Sequence, residues 1–293
     1  MATRQRDRLA AQLRARKAIT SRSAARRRSR KVADPRPPMG VAVDYQRELR
    51  GMIGELYDLA LELLEPHLEE IAAPAHLDSR EVRQDSPKLI GRIVKDIAVA
   101  YGQRFPESRI SQMALRFGKR AAEWNRAEVA KQFKAVVSVD LPEPGEAVAL
   151  QMEAFRSSNV NLITRMTREA LDKIQETLER RSRQGARVED LRRELMEQQG
   201  FSKSRAQLVA RDQVLKYNGE LTQLRHKEAG VERYEWSTSQ DERVREEHAA
   251  LNGTIQRWDD PPVVDRKRNR RHHPGEDFQC RCVAIPVFDF EDT

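Results

Sequence analysis

Apolar residues recur at helical spacing through most of the chain between Asp44 and Gly230. The longest run keeps steps of three, four or seven residues from Val148 to Leu178, which predicts a helix of roughly thirty residues. Charged residues make up 34% of the chain, and most occupy the opposite faces of these predicted helices. The pattern therefore predicts a mainly α protein with an extended bundle or series of helical hairpins.

Prolines, glycines and short polar residues divide this pattern into separate helices. Proline ends or kinks a helix in its interior but fits the first helical position. Serine is a favoured N-cap, and glycine commonly follows a helix end. The predicted boundaries are an end at Pro66, a start at Ser86-Pro87, a break over 141–145, an end at Gly200, and an N-cap at Ser202 or Ser204.

The pattern changes at Val231, where strand-forming residues begin to alternate. We expect a small α+β module here, with short strands over 233–238, 254–258 and 283–287. A short helix from Asp241 to Leu251 separates the first two strands, and the stretch over 259–271 is expected to be irregular. The predicted organisation is a basic arm with a proline-rich linker over 1–43, a helical region over 44–204 and a C-terminal module over 205–293.

The charge of the chain is concentrated at its N-terminus. Residues 1–36 contain thirteen Lys or Arg and two acids, a net charge of +11, whereas the remaining residues sum to −3. Three interpretations remain open: a disordered arm that binds DNA phosphates without reading sequence, a mitochondrial transit peptide, or a solvated tail. The candidate DNA-binding residues are Arg14, Arg16, Lys17, Arg22, Arg26, Arg27, Arg28, Arg30 and Lys31.

Apolar content and cysteine usage exclude two classes of protein. No apolar run approaches the roughly 18–20 residues of a membrane-spanning helix, so we expect no membrane partner. The chain has only two cysteines, which excludes a disulfide scaffold, and residues two apart rarely form a disulfide with each other.

Potential metal ligands cluster near the C-terminus, where His272, His273, Cys280 and Cys282 follow His248. Thiolates and imidazoles are the usual zinc ligands, and a Cys-x-Cys pair on a strand would place both sulfurs on one face. The alternative is that the thiols are small core residues and that His248 bonds a loop. The histidine pair is also loosely similar to that of metal-dependent His-Asn-His nucleases, which would use His248 with His272 or His273.

The order of several motifs in the last third of the chain identifies a family resemblance. The run Tyr234-x-Trp236-x-Thr238 leads into Asp241-x-Arg243-Val244-Arg245-x-x-His248-x-x-Leu251-x-Gly253, and His273-Pro274-Gly275-x-Asp277-x-x-Cys280-Arg281-Cys282 follows. This order resembles the phage Mu F-like minor head proteins, the phage head morphogenesis family. The resemblance covers roughly residues 205–287, about a third of the chain.

The resemblance implies a virion protein that lacks catalytic activity. Such a protein would associate with the portal and with capsid or scaffold proteins in the host cytoplasm, enter the head, contact double-stranded DNA and assist its delivery. The resemblance also suggests a structural cluster that holds one zinc ion, with candidate ligands Asp241, His248, His273, Cys280 and Cys282. The motif residues with an expected structural role are Tyr234, Trp236, Arg245, Gly253, Pro274 and Gly275.

Overall fold

A computed structural model describes residues 34–72, 80–136, 141 and 145–288 of the chain. Its helices are α1 (Met39–Leu64), a 3₁₀ turn (Glu65–His67), α2 (Leu68–Ala72), α3 (Arg80–Arg104), α4 (Glu107–Val136), α5 (Glu146–Gln184), α6 (Val188–Glu228) and α7 (Glu246–Leu251). Its strands are β1 (Arg233–Ser237), β2 (Ile255–Arg257), β3 (Val263–Asp265), β4 (Arg270–Arg271) and β5 (Val283–Val287). The predicted fold class, mainly α with a small C-terminal α+β module, is confirmed.

The basic arm lies outside the described residues. All nine candidate DNA-binding residues, from Arg14 to Lys31, fall in this part of the chain, so their assignment stays a prediction. The described chain begins in the proline-rich linker, and α1 begins at Met39, a few residues earlier than the periodicity predicts.

The chain forms two compact units. One comprises Val43–Ala114 and Arg156–Ala210. Its core is built from the apolar faces of α1 and α3, with fully buried residues such as Leu56 and Ile90. Two buried tyrosines are satisfied inside it, since the hydroxyl of Tyr45 donates to Asn159 at 2.8 Å and that of Tyr101 donates to the Met52 carbonyl at 3.2 Å.

Among the described residues, the other unit comprises 34–42, 115–136, 141, 145–155 and 211–288, and it contains the C-terminal module. The module is built on a three-stranded antiparallel sheet of order β2-β1-β5. Strand β1 is central, with Trp236 opposite Ala284 of β5. The buried apolar side chains of this sheet pack with Trp258, Val264 and the two cysteines, so the thiols lie in the module's own core.

The structure corrects the predicted end of a helix at Gly200. Residues 188–228 form one continuous helix of 41 residues, and Gly200 lies exposed within it. Glycine in a helix costs only about 1 kcal/mol relative to alanine, which the rest of a long helix readily offsets. Ser204 does not cap a new helix, because its hydroxyl donates to the Gly200 carbonyl one turn earlier at 3.0 Å.

Two other predicted helix starts are also wrong. Pro87 lies inside α3, which begins at Arg80, so it does not mark a first helical position. The helix predicted to begin at Asp241 begins instead at Glu246. Asp241 sits in a preceding turn, where its carboxylate accepts from the Arg243 backbone N–H at 3.1 Å. Such local bonds let aspartate compete with helix formation.

The stretch predicted to be irregular contains a small hairpin, in which β3 and β4 pair antiparallel. The basic run that forms its turn and second strand has no apolar alternation, so the strand signal is absent from the sequence. Asp265 organises the hairpin by accepting from the Arg268 backbone N–H at 3.0 Å and from Arg270 Nη2 at 2.8 Å. Asn269 takes the positive φ of 49° that closes the turn.

Candidate metal centre

Three side chains with metal-binding atoms converge in the core of the C-terminal module. The Sγ atoms of Cys280 and Cys282 lie 3.6 and 3.5 Å from Nδ1 of His248. The three ligand atoms are within 4.8 Å of one another, and all three side chains are buried. His248 lies on α7, and both cysteines lie immediately before β5 rather than on it. Both sulfurs nevertheless approach the same nitrogen, Nδ1 of His248.

The pKa values of the two thiols are shifted in opposite directions. The hydrogen bond between the two thiols holds the pKa of the Cys280 thiol well below its usual range, and the contact between Cys280 and His248 adds to this. The pKa of Cys282 is raised, first by its hydrogen bond to Cys280 and then by burial. These shifts follow from the close contact of the two sulfurs with each other and with the His248 ring.

Hydrogen bonding alone does not satisfy this group. A ring nitrogen of neutral imidazole carries either one N–H or one in-plane lone pair, so Nδ1 of His248 makes a full hydrogen bond with only one of the two sulfurs. Two sulfurs nevertheless lie at nearly equal distances from that nitrogen. A cation placed among the three atoms would accept one lone pair from each of them. His248, Cys280 and Cys282 can therefore bind a metal ion.

Asp277 lies on the far side of the His248 ring. Its Oδ2 is 3.3 Å from Nε2 of His248, and its side chain is 1% exposed. The carboxylate also accepts from Arg245 Nη1 at 2.8 Å, from Arg270 Nη1 at 3.1 Å and from the Phe278 backbone N–H at 2.9 Å. Two guanidinium groups and a backbone donor thus make this buried charge tolerable.

Asp277 was absent from the predicted ligand set. Asp277 lies in a polar stretch just after His273-Pro274-Gly275, where no apolar periodicity indicates whether an acid is buried or exposed to solvent. The available signal was its place three residues before Cys280 in the family motif.

Two residues of the predicted metal set lie apart from the group. The carboxylate of Asp241 is exposed and pairs with the guanidinium of Arg281, the residue between the two cysteines. His273 is buried, but its Nδ1 lies 2.8 Å from the Tyr234 hydroxyl, and its ring packs 4.9 Å from that of Trp258. Burial lowers the pKa of His273.

The aromatic residues of the motif form the walls of the site. Trp236 is fully buried, and its ring stands nearly perpendicular to that of His248, with 5.6 Å between centroids. Tyr234 is also fully buried and packs 4.2 Å from Trp258. The module therefore has a tight aromatic layer directly against the imidazole that faces the thiols.

The glycines and proline of the motif shape the chain around these walls. Gly253 takes a positive φ of 75° after α7, and its N–H donates to the Trp236 carbonyl at 2.7 Å. Gly275 takes a φ of 89° in the turn that follows His273, where any side chain would be strained. Pro274 packs against α6 at Gly219 in the same unit. These contacts position the segment that carries Asp277 and both cysteines.

These features define a mainly helical protein whose small C-terminal module is organised around buried histidine, cysteine and aspartate side chains. Residues 172–285 match the sequence model of the family described as Phage Mu protein F like protein. The matched region contains the whole site and confirms the resemblance that the C-terminal motifs predicted. Its N-terminal bound also extends the resemblance upstream into α5.

One curated relative is an uncharacterised protein of Haemophilus influenzae. The two sequences are 36% identical over 185 residues, which is 62% of this chain and 40% of the relative. The chain therefore spans about two fifths of the length of the curated relative that it matches. No solved structure significantly matches the chain.

None of the helices in the described ranges combines the length and apolar character needed to span a bilayer.

Proposed function

We propose that this chain is a phage minor head protein that acts in head morphogenesis. It associates with the portal and with capsid or scaffold proteins in the host cytoplasm, and it becomes part of the virion. In this role it contacts packaged double-stranded DNA, assists DNA delivery and carries out no catalysis. The observation that supports this most strongly is the match of residues 172–285 to the Mu F-like family.

The basic arm supplies the DNA contact in this proposal. The linker that follows the arm makes three hydrogen bonds with α4 and β1 of its own unit. Ser237 Oγ donates to the Asp34 carboxylate at 3.0 Å, the Arg36 N–H donates to Glu128 at 3.1 Å, and Trp124 donates to the Arg36 carbonyl at 2.9 Å. An arm attached at this point would bring many Lys and Arg side chains to DNA. Each contact with a phosphate would add affinity without recognition of the base sequence.

Zinc is the metal that the proposed site fits best. Tetrahedral zinc with bond lengths of about 2.3 Å to sulfur and 2.0–2.1 Å to nitrogen places those ligands roughly 3.6 Å apart. The separations from Nδ1 of His248 to the two sulfurs are 3.6 and 3.5 Å. One zinc ion would join α7 to the segment before β5 and so stabilise a module with a small apolar core.

Metal analysis of the full-length protein tests the zinc site. Protein purified without chelator should contain about one zinc per chain, and Cys280→Ser should lose the zinc and lower the melting temperature. A ratio near zero, together with an unchanged melting temperature for Cys280→Ser, would show that the thiols are only core residues.

The nuclease alternative has little support in the site geometry. His248 and His273 are 2% and 6% exposed and face different partners inside the core, and His272 lies beside Glu276, with 3.7 Å between Nδ1 and Oε2. A nuclease of this type would nick plasmid DNA with added divalent metal, and His248→Ala would abolish the nicking. We expect no nicking across several divalent metals.

Co-purification with the portal tests the main proposal. The full-length chain is expressed with the portal protein of the same genome and separately with the major capsid protein as a control. We expect it to elute with the assembled portal ring. Elution away from the ring in both experiments would refute the portal association.

A further inference from the structure

The surroundings of Nε2 determine whether the other ring nitrogen of His248, Nδ1, can bind a metal. A neutral imidazole carries its proton on one nitrogen and its lone pair on the other. Nδ1 faces the two sulfurs, so metal binding requires the proton to be on Nε2. The group beside Nε2 therefore influences whether the site can bind a metal.

Asp277 lies beside that nitrogen, with 3.3 Å between Oδ2 and Nε2. The negative charge of a carboxylate there favours the tautomer with its proton on Nε2 and disfavours the opposite one, in which the lone pair would face the carboxylate oxygens. The 3.3 Å contact is electrostatic, because Nε2 makes no aligned hydrogen bond within the described part of the chain. The side chains of His248 and Asp277 are 3% and 1% exposed, so water does little to screen this charge. Carboxylates in this position are a recurring outer partner of metal-bound histidines.

The carboxylate itself is held from three further directions. Arg245 directly precedes α7, the helix that carries His248, and its second nitrogen also donates to the Phe278 carbonyl. Arg270 reaches the other carboxylate oxygen from β4 and also binds Asp265. The Phe278 N–H completes the set. Asp277 cannot rotate away from His248 without breaking these bonds.

We propose that Asp277 is the positioning residue of the metal site, which holds His248 with its Nδ1 lone pair directed at the metal. The centre is then a Cys280, Cys282 and His248 set with Asp277 outside it, in place of the five ligands predicted from the sequence. This inference rests on the proposed zinc site.

The test compares Asp277→Asn with Arg270→Gln in the full-length protein. Asp277→Asn keeps the shape but removes the charge beside Nε2. Arg270→Gln removes one ion pair of Asp277 but leaves its carboxylate in place. Two quantities are measured: zinc affinity by competition with a chelator, and the His248 tautomer in metal-free protein by ¹⁵N NMR of labelled histidines, assigned with a His248→Gln variant.

Asp277→Asn should weaken zinc binding roughly 10–100-fold and move the His248 proton toward Nδ1. Arg270→Gln should stay within about threefold of wild type and keep the tautomer, because an outer carboxylate still faces Nε2. Equal weakening by both variants without a tautomer change would make Asp277 only a fold anchor and overturn the proposal. So would wild-type affinity in Asp277→Asn.

Two outcomes separate this inference from the zinc site itself. If wild-type protein binds no zinc, the zinc site is wrong, and the tautomer in metal-free protein still tests Asp277. If Asp277→Asn does not fold, the wild-type spectrum decides, since a proton found on Nδ1 of metal-free His248 overturns the proposal.

Discussion

Gly219 of α6 lies directly against the backbone of Pro274: a Cβ atom on Gly219 would come within 2.6 Å of the Pro274 carbonyl oxygen. The same Cβ would lie 3.5 Å from Cα of Gly275. The atoms it would meet belong to backbone, which cannot rotate aside. The turn before Asp277 and the cysteines is therefore seated on the long helix only because position 219 has no side chain.

Gly219→Ala should lower the free energy of unfolding by about 1–3 kcal/mol, because overpacking forces the turn away from the helix. Gly200→Ala is the matched control in the same helix, since a Cβ there meets nothing within 4 Å. This control should gain up to about 1 kcal/mol from helix propensity. Urea denaturation measures the free energy of unfolding of both variants. Equal effects of the two substitutions would contradict the close contact between Gly219 and the turn at Pro274.

Trp236→Ala should destabilise the C-terminal module by about 3–5 kcal/mol, the usual cost of removing a fully buried aromatic side chain. It should also weaken metal binding, because the indole packs against His248. Trp124→Ala is the control, since Trp124 is 41% exposed and should cost far less. A small effect of Trp236→Ala on thermal unfolding would argue against the buried aromatic wall.

His226 should make the fold sensitive to acid. It is fully buried between Phe133 and Trp258, neither ring nitrogen has a hydrogen-bond partner in the described part of the chain, and burial lowers its pKa to about 3. Between pH 6.5 and pH 3 the unfolded state therefore binds a proton that the folded state does not, so stability falls as pH falls through this window.

The contribution of His226 to this loss is about 4–5 kcal/mol at most. His226→Phe should remove it, so the difference in unfolding free energy between variant and wild type should widen below pH 6.5. His67→Gln, on the 3₁₀ turn, serves as the control and should track wild type. Parallel pH profiles for wild type and His226→Phe would mean that the ring is solvated.

Deleting residues 1–33 should remove most of the DNA affinity, on the order of 100-fold or more at low salt, because twelve Lys and Arg residues are lost. The deletion leaves the contacts of Asp34 and Arg36 in place. Fluorescence anisotropy with a duplex of random sequence measures it, and the dependence of log affinity on log salt should flatten.

A double variant of the exposed hairpin turn, Arg266→Gln with Lys267→Gln, is the charge control for the arm. It should change affinity much less than the deletion. If the deletion leaves affinity unchanged and the hairpin variant reduces it, the DNA contact belongs to the C-terminal module instead.

The helices with strong apolar periodicity could be predicted from the sequence. The run from Val148 to Leu178 lies inside α5, which extends further, over Glu146–Gln184, because its ends are polar and carry no period. The break predicted at Gly200 was wrong for a physical reason: one glycine costs little in a helix held along its whole length. The small β3–β4 hairpin was missed because its stability comes from Asp265 and not from alternation.

The site could be predicted in part. Histidine and cysteine are rare in this chain, so their clustering identified His248, Cys280 and Cys282. Acids are common, and no pattern in the sequence separates the buried Asp277 from the exposed Asp241. Which acid faces the imidazole depends on the turn seated against Gly219, a contact distant in sequence.

The most direct test of the proposed head function is the composition of assembled heads. Heads are produced from the portal, scaffold and capsid proteins of the same genome with this full-length chain, purified, and analysed by quantitative mass spectrometry. Heads that contain the chain at low copy number, and lose it when the portal is omitted, are the predicted result. Heads that contain a portal but none of this chain would contradict the account.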